Sequence, residues 1–351
     1  MKMSNTSFSK AEGIVFCSAF FLTSVLIVAG NLLSLVLCAH TKALRKKSFF
    51  LIINMTFADL MLGGLTLPIY TYIAGATFYP LWTFNYVFDY KAATFFHLIA
   101  DTLFVFASLL SATFISCERF YATYQPLKHR TLSTNTYSIT IFMLWILAVL
   151  VATLLIVLKE LQSVEYAIYV AVPFTLTLII IICVCNVGIW RQFQHASAAS
   201  QQKNRDSQRK RFTKTLVFVS TLTLICWLPF LVMTILMVLY DDAISLRFYL
   251  MVNILNYSNS FVNPVIYVLR IPEFKQALSS IKLRQERNAA MKLERTRKGR
   301  QVTEPRMLQT AAKGIALCSA SVLASVNCLI LVIYMAFADL MLRAFSLPIF
   351  I

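Results

Sequence analysis

The chain has 351 residues, of which 59% are apolar and only 13% are charged, and its mean hydropathy is +0.71. Soluble domains carry about 25% charged residues, so this composition excludes an ordinary soluble enzyme and a disordered protein. In a soluble protein the net charge of +17 would suggest a nucleic-acid partner. Here the basic residues lie in short segments between long apolar blocks, which indicates a membrane protein with basic cytoplasmic loops and no nucleic-acid partner.

Seven apolar blocks are each near or above the ~20 residues that a helix needs to cross a bilayer. They lie at about 12–39, 49–74, 92–117, 136–158, 166–190, 212–239 and 246–269. Because the backbone finds no water at that depth, each block must satisfy its own hydrogen bonds as a helix. The sequence therefore predicts an all-α membrane protein built as a bundle of seven transmembrane helices.

The basic residues of the loops predict the orientation of this bundle. The segments after spans one, three, five and seven are rich in Lys and Arg, as in 45–47 and 209–211, whereas the other loops are poor in them. Positive charge marks the cytoplasmic side, so we expect the N-terminus outside. Asn5 lies there in the glycosylation sequon Asn-Thr-Ser.

The predicted organisation has five parts. They are an extracellular N-terminus (1–11), the seven-helix bundle (12–270), an amphipathic helix on the membrane surface (271–283), a basic cytoplasmic tail (284–313) and an eighth apolar block (314–351). This last block repeats the start of the chain, since MAFADLML at 335–342 matches MTFADLML at 55–62. It is either a truncated copy of spans one and two, from a partial duplication or a faulty gene model, or a real eighth span.

Ionisable residues inside the spans are costly in lipid and are therefore functional candidates. Asp59 lies in span two, Asp101 at the outer end of span three, and Glu118-Arg119 at its inner end. Five helical turns, about 27 Å, separate Asp101 from Arg119, which places both on one face at opposite membrane boundaries. The alternative interpretation is that Glu118 and Arg119 merely mark the end of a helix.

Span seven is unusually polar for a membrane helix. Asn253, Asn256, Asn259 and Asn263 precede Pro264, and amides facing lipid would be too costly, so we expect them to face the bundle interior. Pro264 should kink this helix and Pro229 should kink span six, either as part of a moving switch or as passive bends.

One marker pattern falls on each predicted span, in order. The patterns are Gly30-Asn31, Met55–Asp59, Glu118-Arg119-Phe120, Trp145, Pro173, Cys226–Pro229 and Asn259–Tyr267. With them the chain resembles the rhodopsin-like (class A) family of G-protein-coupled receptors. The resemblance implies a plasma-membrane receptor that binds an extracellular ligand and activates a heterotrimeric G protein, with arrestin as a further partner.

The resemblance also implies roles for individual residues. A sodium ion would be an allosteric ligand, with no other cofactor, in a pocket formed by Asp59, Ser108, Asn259 and Asn263. Coupling to the G protein would depend on Glu118, Arg119, Pro229, Pro264 and Tyr267. Trp227 would be the aromatic switch beneath the ligand.

The chain departs from the family pattern at several positions. Ile181 replaces a tyrosine of span five, Phe120 replaces the tyrosine after Arg119, and Thr94 replaces a cysteine. Because this cysteine is missing, the resemblance favours the subgroup of melanocortin, lysophospholipid, cannabinoid and adenosine receptors. The acid that often holds Arg119 at rest would fall near Arg209, so raised basal activity is a further hypothesis.

The ligand prediction rests on acids at the outer end of the bundle. Asp101 occupies the position where amine receptors place their counter-ion, and Tyr257 matches its partner in span seven. With Glu165, Trp227, Phe230 and Asn253 completing the site, we expect a small cationic amine or a basic peptide. The alternative is that Asp101 is solvated, or paired within the protein, and recognises nothing.

Three alternatives to a signalling receptor remain: a transporter or channel, a membrane enzyme, and a receptor relative that does not signal. A transporter or channel would suit interrupted helices, although the one internal repeat is same-sense and truncated. The histidines are scattered and neither H-E-x-x-H nor G-x-S-x-G is present, so we do not expect an enzyme. The eroded positions at Phe120 and Ile181 would also suit a receptor relative that no longer signals.

Overall fold

The computed structural model describes residues 9–79, 81–82, 90–199, 205–239, 245–280, 286–287 and 291. The chain divides into two compact units, Met1–Lys282 and Leu283–Ile351. Within the described part of the first unit lie seven long helices. They are α1 (Lys10–His40), α2 (Lys47–Thr77), α3 (Tyr90–Tyr124), α4 (Thr134–Leu161), α5 (Val164–Ala199), α6 (Arg205–Leu239) and α7 (Leu246–Arg270). The predicted all-α bundle of seven helices is confirmed.

Six of these helices, α1 to α6, are long and apolar enough to cross a membrane. The seventh, α7, has 25 residues and is therefore about 37 Å long, which also suffices to cross. Several helices extend beyond the predicted apolar blocks, as α3 does to Tyr124, because hydropathy marks only the part in contact with lipid. A short helix, Pro126–Thr131, follows α3, and residues 272–280 are helical after α7.

The remaining predicted parts lie largely outside the described residues. This holds for Asn5, for most of 284–313 and for the apolar block 314–351, so neither interpretation of that block is tested. Of the helix expected at 271–283, the described turns bury Phe274 and Ala277 and expose Lys275, which is an amphipathic pattern.

The outward faces of the bundle are apolar. On α4, Ile139, Phe142, Met143 and Leu150 are all more than half exposed. A continuous apolar surface of this kind suits contact with acyl chains and would promote aggregation in water.

A π-helical turn interrupts α2 at Leu62–Thr66, just before Pro68. Proline lacks an N–H group and cannot continue a regular α-helical ladder, and the wider turn accommodates this break. Ser24 of α1 donates a hydrogen bond to the carbonyl of Gly63 at 2.8 Å, which ties the two helices together at the turn.

Polar residues of α2, α3 and α7 meet inside the bundle because of how these helices pack. α3 contacts α2, α4, α5 and α6, while α7 contacts α1, α2 and α6. The inward faces of α2, α3 and α7 carry the ionisable and amide side chains described below.

Candidate functional site

Asp59 lies at the centre of a polar cluster and is fully buried. Ser108 of α3 and Ser260 of α7 donate hydrogen bonds to its Oδ1 atom at 2.6 and 2.7 Å. The Nδ2 atom of Asn263 donates to its Oδ2 atom at 3.3 Å. A buried carboxylate needs such donors, because removing its charge from water is otherwise costly.

The structure joins three of the four residues expected to bind sodium. Asp59, Ser108 and Asn263 meet, whereas the further hydrogen bond to the carboxylate comes from Ser260 and not from Asn259. Asn259 is buried nearby on the same helix. Helical spacing could have predicted Ser260 as a member of this cluster, because Ser260 precedes Asn263 by three residues and therefore shares its helical face.

The composition of this cluster fits a hard monovalent cation. It offers carboxylate and hydroxyl oxygens, and within the described residues the buried Oδ1 atom of Asn263 has no hydrogen-bond partner. A cation bound here would neutralise Asp59 and give that amide oxygen a partner, because hard cations prefer oxygen ligands.

A second polar cluster lies at the outer end of α3. The hydroxyl of Tyr257 donates a hydrogen bond to Oδ1 of Asp101 at 2.9 Å. Tyr70 of α2 contacts the pair, with its ring centroid 6.2 Å from that of Tyr257 and 5.3 Å from that of His97. Asp101 is partly buried, so its carboxylate faces an aromatic enclosure made by α2, α3 and α7.

Sequence reasoning found Asp101 and Tyr257 but missed Tyr70 and His97. His97 precedes Asp101 by four residues, so helical spacing could have placed it on the same face. No comparable signal existed for Tyr70, because its direction depends on the π-helical turn that precedes it in α2.

The other predicted ligand-binding residues lie on α5, α6 and α7. Trp227 is buried in α6, and its ring meets that of Phe230 edge-to-face at 6.1 Å. Asn253 donates to the carbonyl of Tyr249 at 2.8 Å, one turn from Tyr257. Glu165 is exposed in the first turn of α5.

A third cluster forms at the inner end of α3 around Glu118. Arg119 forms an ion pair with Glu118, and Nε2 of His129 lies 2.6 Å from Oε1 of Glu118. Tyr137 of α4 donates to the same oxygen at 3.0 Å. Sequence reasoning missed His129 because the short helix that positions it was not predicted. It missed Tyr137 because that contact depends on how α4 packs against α3.

Glu118 and Arg119 lie shortly before the end of α3, and their role as a switch stays a prediction. α3 continues to Tyr124, and Arg119 is only 5% exposed. The hydroxyl groups of Ser116 and Ser220 lie 3.0 Å apart and join α3 to α6. This contact lies about one helical turn deeper in the bundle than Arg119.

Helices α6 and α7 carry the other predicted switch residues. Pro229 and Pro264 lie inside their helices, and Pro264 packs against Gly30 of α1. Tyr267 is fully buried, and within the described residues its hydroxyl has no hydrogen-bond partner. The side chain of Arg209 lies outside the described residues.

α5 approaches α3 closely at the inner end, although it lacks the tyrosine that Ile181 replaces. Tyr124 donates to the carbonyl of Gly188 at 3.1 Å, and the ring of Phe120 covers that glycine. A β-carbon at Gly188 would lie 2.5 Å from the Phe120 ring, so a larger residue would require that ring to shift.

Comparison with known proteins gives a consistent result. The sequence model of the family described as "7 transmembrane receptor (rhodopsin family)" matches residues 30–267. Trace amine-associated receptor 4 of Mus musculus is 26% identical over 306 residues, which cover 76% of this chain and 86% of that receptor. Trace amine-associated receptor 1 of Macaca mulatta is 27% identical over 305 residues, 76% of this chain and 88% of that receptor. The histamine H2 receptor of Canis lupus familiaris is 25% identical over 284 residues, 73% of this chain and 76% of that receptor.

Proposed function

The chain belongs to the rhodopsin family of seven-transmembrane receptors, and we propose that its extracellular ligand is a small cationic amine. Family membership makes the protein a multi-pass membrane receptor that couples ligand binding to a G protein, and not an enzyme. It gives no support to the transporter or channel alternative. The lean toward the melanocortin, lysophospholipid, cannabinoid and adenosine group stays a prediction, since none of the three relatives named above belongs to it by name.

The hydrogen bond between Tyr257 and Asp101 carries the proposal. Tyr257 orients the carboxylate but is neutral, so it leaves the charge of Asp101 uncompensated. Within the described residues, no lysine or arginine forms an ion pair with Asp101. An ammonium group would supply the missing charge, and the faces of Tyr70 and Tyr257 would favour it further through cation–π attraction.

Two lines of support agree with an amine. The relatives named above include receptors named for trace amines and for histamine, which is itself an amine. The enclosure around Asp101 is also lined by aromatic rings of α2 and α7, which suits a compact ligand with one positive charge.

Signalling would follow from a shift in population between resting and active bundles. A ligand can move this equilibrium only by its difference in affinity for the two states. We propose that α6 is the moving helix, because Pro229 interrupts its ladder of hydrogen bonds. In this structure the hydroxyl groups of Ser116 and Ser220 join α6 to α3. Glu118, Arg119, Pro264 and Tyr267 would then form the inner switch that meets the G protein, with arrestin as a later partner.

Two further assignments belong to the proposal. The Asp59 cluster would hold a sodium ion as an allosteric ligand, through Asp59, Ser108, Asn263 and Ser260. The N-terminus would lie outside the plasma membrane, where Asn5 would be glycosylated. Both assignments follow from the donor set and from the loop charges.

The experiment is an amine screen in cells that express the receptor with a promiscuous G protein. We expect at least one primary or secondary amine to raise the second messenger, and Asp101→Asn to abolish that response at equal surface expression. Glu160→Gln is the matched control, because it removes an exposed acid near the outer end of α4, outside the predicted ligand site. Unchanged potency in Asp101→Asn would overturn the site, and a response only to basic peptides would overturn the ligand class.

A further inference from the structure

A groove runs between the inner halves of α5 and α6 and reaches the last residue of α7. Its volume is about 360 Å³. The side chains that matter for its chemistry are aromatic or basic: Trp190, Phe193, Lys214, Phe218 and Arg270. None of them belongs to the three polar clusters described above, so the groove needs its own explanation.

Two cations lie at this groove and are held by aromatic rings. The guanidinium carbon of Arg270 lies 4.1 Å from the ring centroid of Phe218. The ammonium nitrogen of Lys214 lies 6.0 Å from the ring centroid of Phe193. Within the described residues, no carboxylate forms an ion pair with either cation. Both positive charges are therefore available to an anion.

The wall of the groove faces outward from the bundle. Trp190 is 57% exposed and Phe218 is 38% exposed, whereas Leu216 and Ser220 on the opposite face of α6 are buried. Phe218 lies one turn deeper in the membrane than Lys214. The groove thus presents apolar rings at membrane depth and positive charge at its cytoplasmic edge.

We propose that this groove binds an anionic phospholipid. The headgroup phosphate would lie between Lys214 and Arg270, and an acyl chain would lie against Trp190 and Phe218. The positive edge of the groove matches the headgroup of such a lipid, and its aromatic wall matches the acyl chain. A soluble anion would leave the aromatic rings uncovered, and a neutral lipid would leave the two cations unpaired. Because the two cations come from α6 and α7, the bound lipid would bridge these helices.

The test uses the full chain in nanodiscs of phosphatidylcholine with or without phosphatidylglycerol, and native mass spectrometry counts retained lipid. A basic residue at the membrane surface contributes about a fivefold gain in affinity for anionic lipid, so Lys214→Ala with Arg270→Ala should weaken retention about 30-fold. The matched control is Lys42→Ala with Arg130→Ala, which removes the same charge from exposed positions on the cytoplasmic side. Lys214→Arg with Arg270→Lys should retain the lipid.

Three outcomes would overturn the proposal. Equal losses in the groove and control variants would show that only overall surface charge matters. Displacement of the lipid by soluble glycerol phosphate at equal concentration would show that the site recognises a free anion. Equal retention of phosphatidylcholine and phosphatidylglycerol would show that the cations play no part. None of these readouts depends on the amine ligand or on signalling.

Discussion

Tyr137 of α4 donates a hydrogen bond to Glu118 of α3 across 3.0 Å, so the acid that pairs with Arg119 is also joined to a neighbouring helix. His129 reaches the same carboxylate oxygen from the short helix after α3. The restraint on Arg119 in this structure therefore comes from α3, α4 and the loop between them. The hypothesis of raised basal activity, drawn from the missing acid near Arg209, stays a prediction.

The first prediction concerns release of Arg119. Glu118→Gln keeps the shape of the side chain but removes the charge that pairs with Arg119, and a hydrogen bond to a charged group contributes about 1.5–3 kcal/mol. We expect the ratio of active to resting receptor to rise roughly tenfold or more. Second-messenger levels in cells without ligand measure this change.

Glu160→Gln serves as the control for this prediction, because Glu160 is exposed near the other end of α4. A basal level in Glu118→Gln that equals wild type at matched surface expression would show that Glu118 does not restrain Arg119. A high basal level already present in the wild type would instead favour the hypothesis drawn from the missing acid near Arg209.

The second prediction separates Ser260 from Asn259 in the proposed sodium site. Asp59→Asn should abolish the difference in agonist affinity between sodium chloride and choline chloride buffers, because it removes the charge that attracts the cation. Ser260→Ala should reduce that difference, since Ser260 contacts the carboxylate directly. Asn259→Ala should retain it. Radioligand competition in the two buffers is the measurement, and loss of the effect in Asn259→Ala alone would favour the family pattern over this geometry.

The outcome at these positions shows what a sequence can predict. Long apolar blocks sufficed for the seven helices, because the bilayer dictates both their length and their internal hydrogen bonding. The grouping of Asp59, Ser108 and Asn263 came from the resemblance to the receptor family, and the structure joins them. The choice between Ser260 and Asn259 depends on the rotation of α7, and that rotation is set by packing against α1 and α6 rather than by local sequence.

The contacts of Glu118 illustrate the same limit. Its pairing with Arg119 is local and could be expected from adjacent residues. His129 reaches it because the loop after α3 folds as a helix over Pro126–Thr131, and no apolar periodicity marks so short an element. Tyr137 reaches it because α4 packs against α3. Non-local partners of this kind require the fold itself.

The third prediction concerns the tyrosine that orients Asp101. Tyr257→Phe removes only the hydroxyl that donates to the carboxylate, so Asp101 keeps its charge but loses its fixed direction. We expect the potency of an amine agonist to fall about tenfold, less than the complete loss expected for Asp101→Asn. Tyr169→Phe is the control, since Tyr169 is 59% exposed on α5. Increased potency would mean that Tyr257 competes with the amine for Asp101.

The last prediction tests the packing of α1 against the π-helical turn of α2, which is where the outer half of α2 acquires its direction. A β-carbon at Gly63 would lie 2.5 Å from Ile27, whereas one at the neighbouring Gly64 would meet Val28 at 3.6 Å, an ordinary contact. Gly63→Ala should therefore destabilise the bundle by about 1–3 kcal/mol through overpacking, and Gly64→Ala should leave stability nearly unchanged. Apparent unfolding temperatures in one detergent measure both variants. Ile27→Ala should partly rescue Gly63→Ala by making room for the new methyl group, and equal unfolding temperatures for the two glycine variants would show that α1 does not pack closely at this turn.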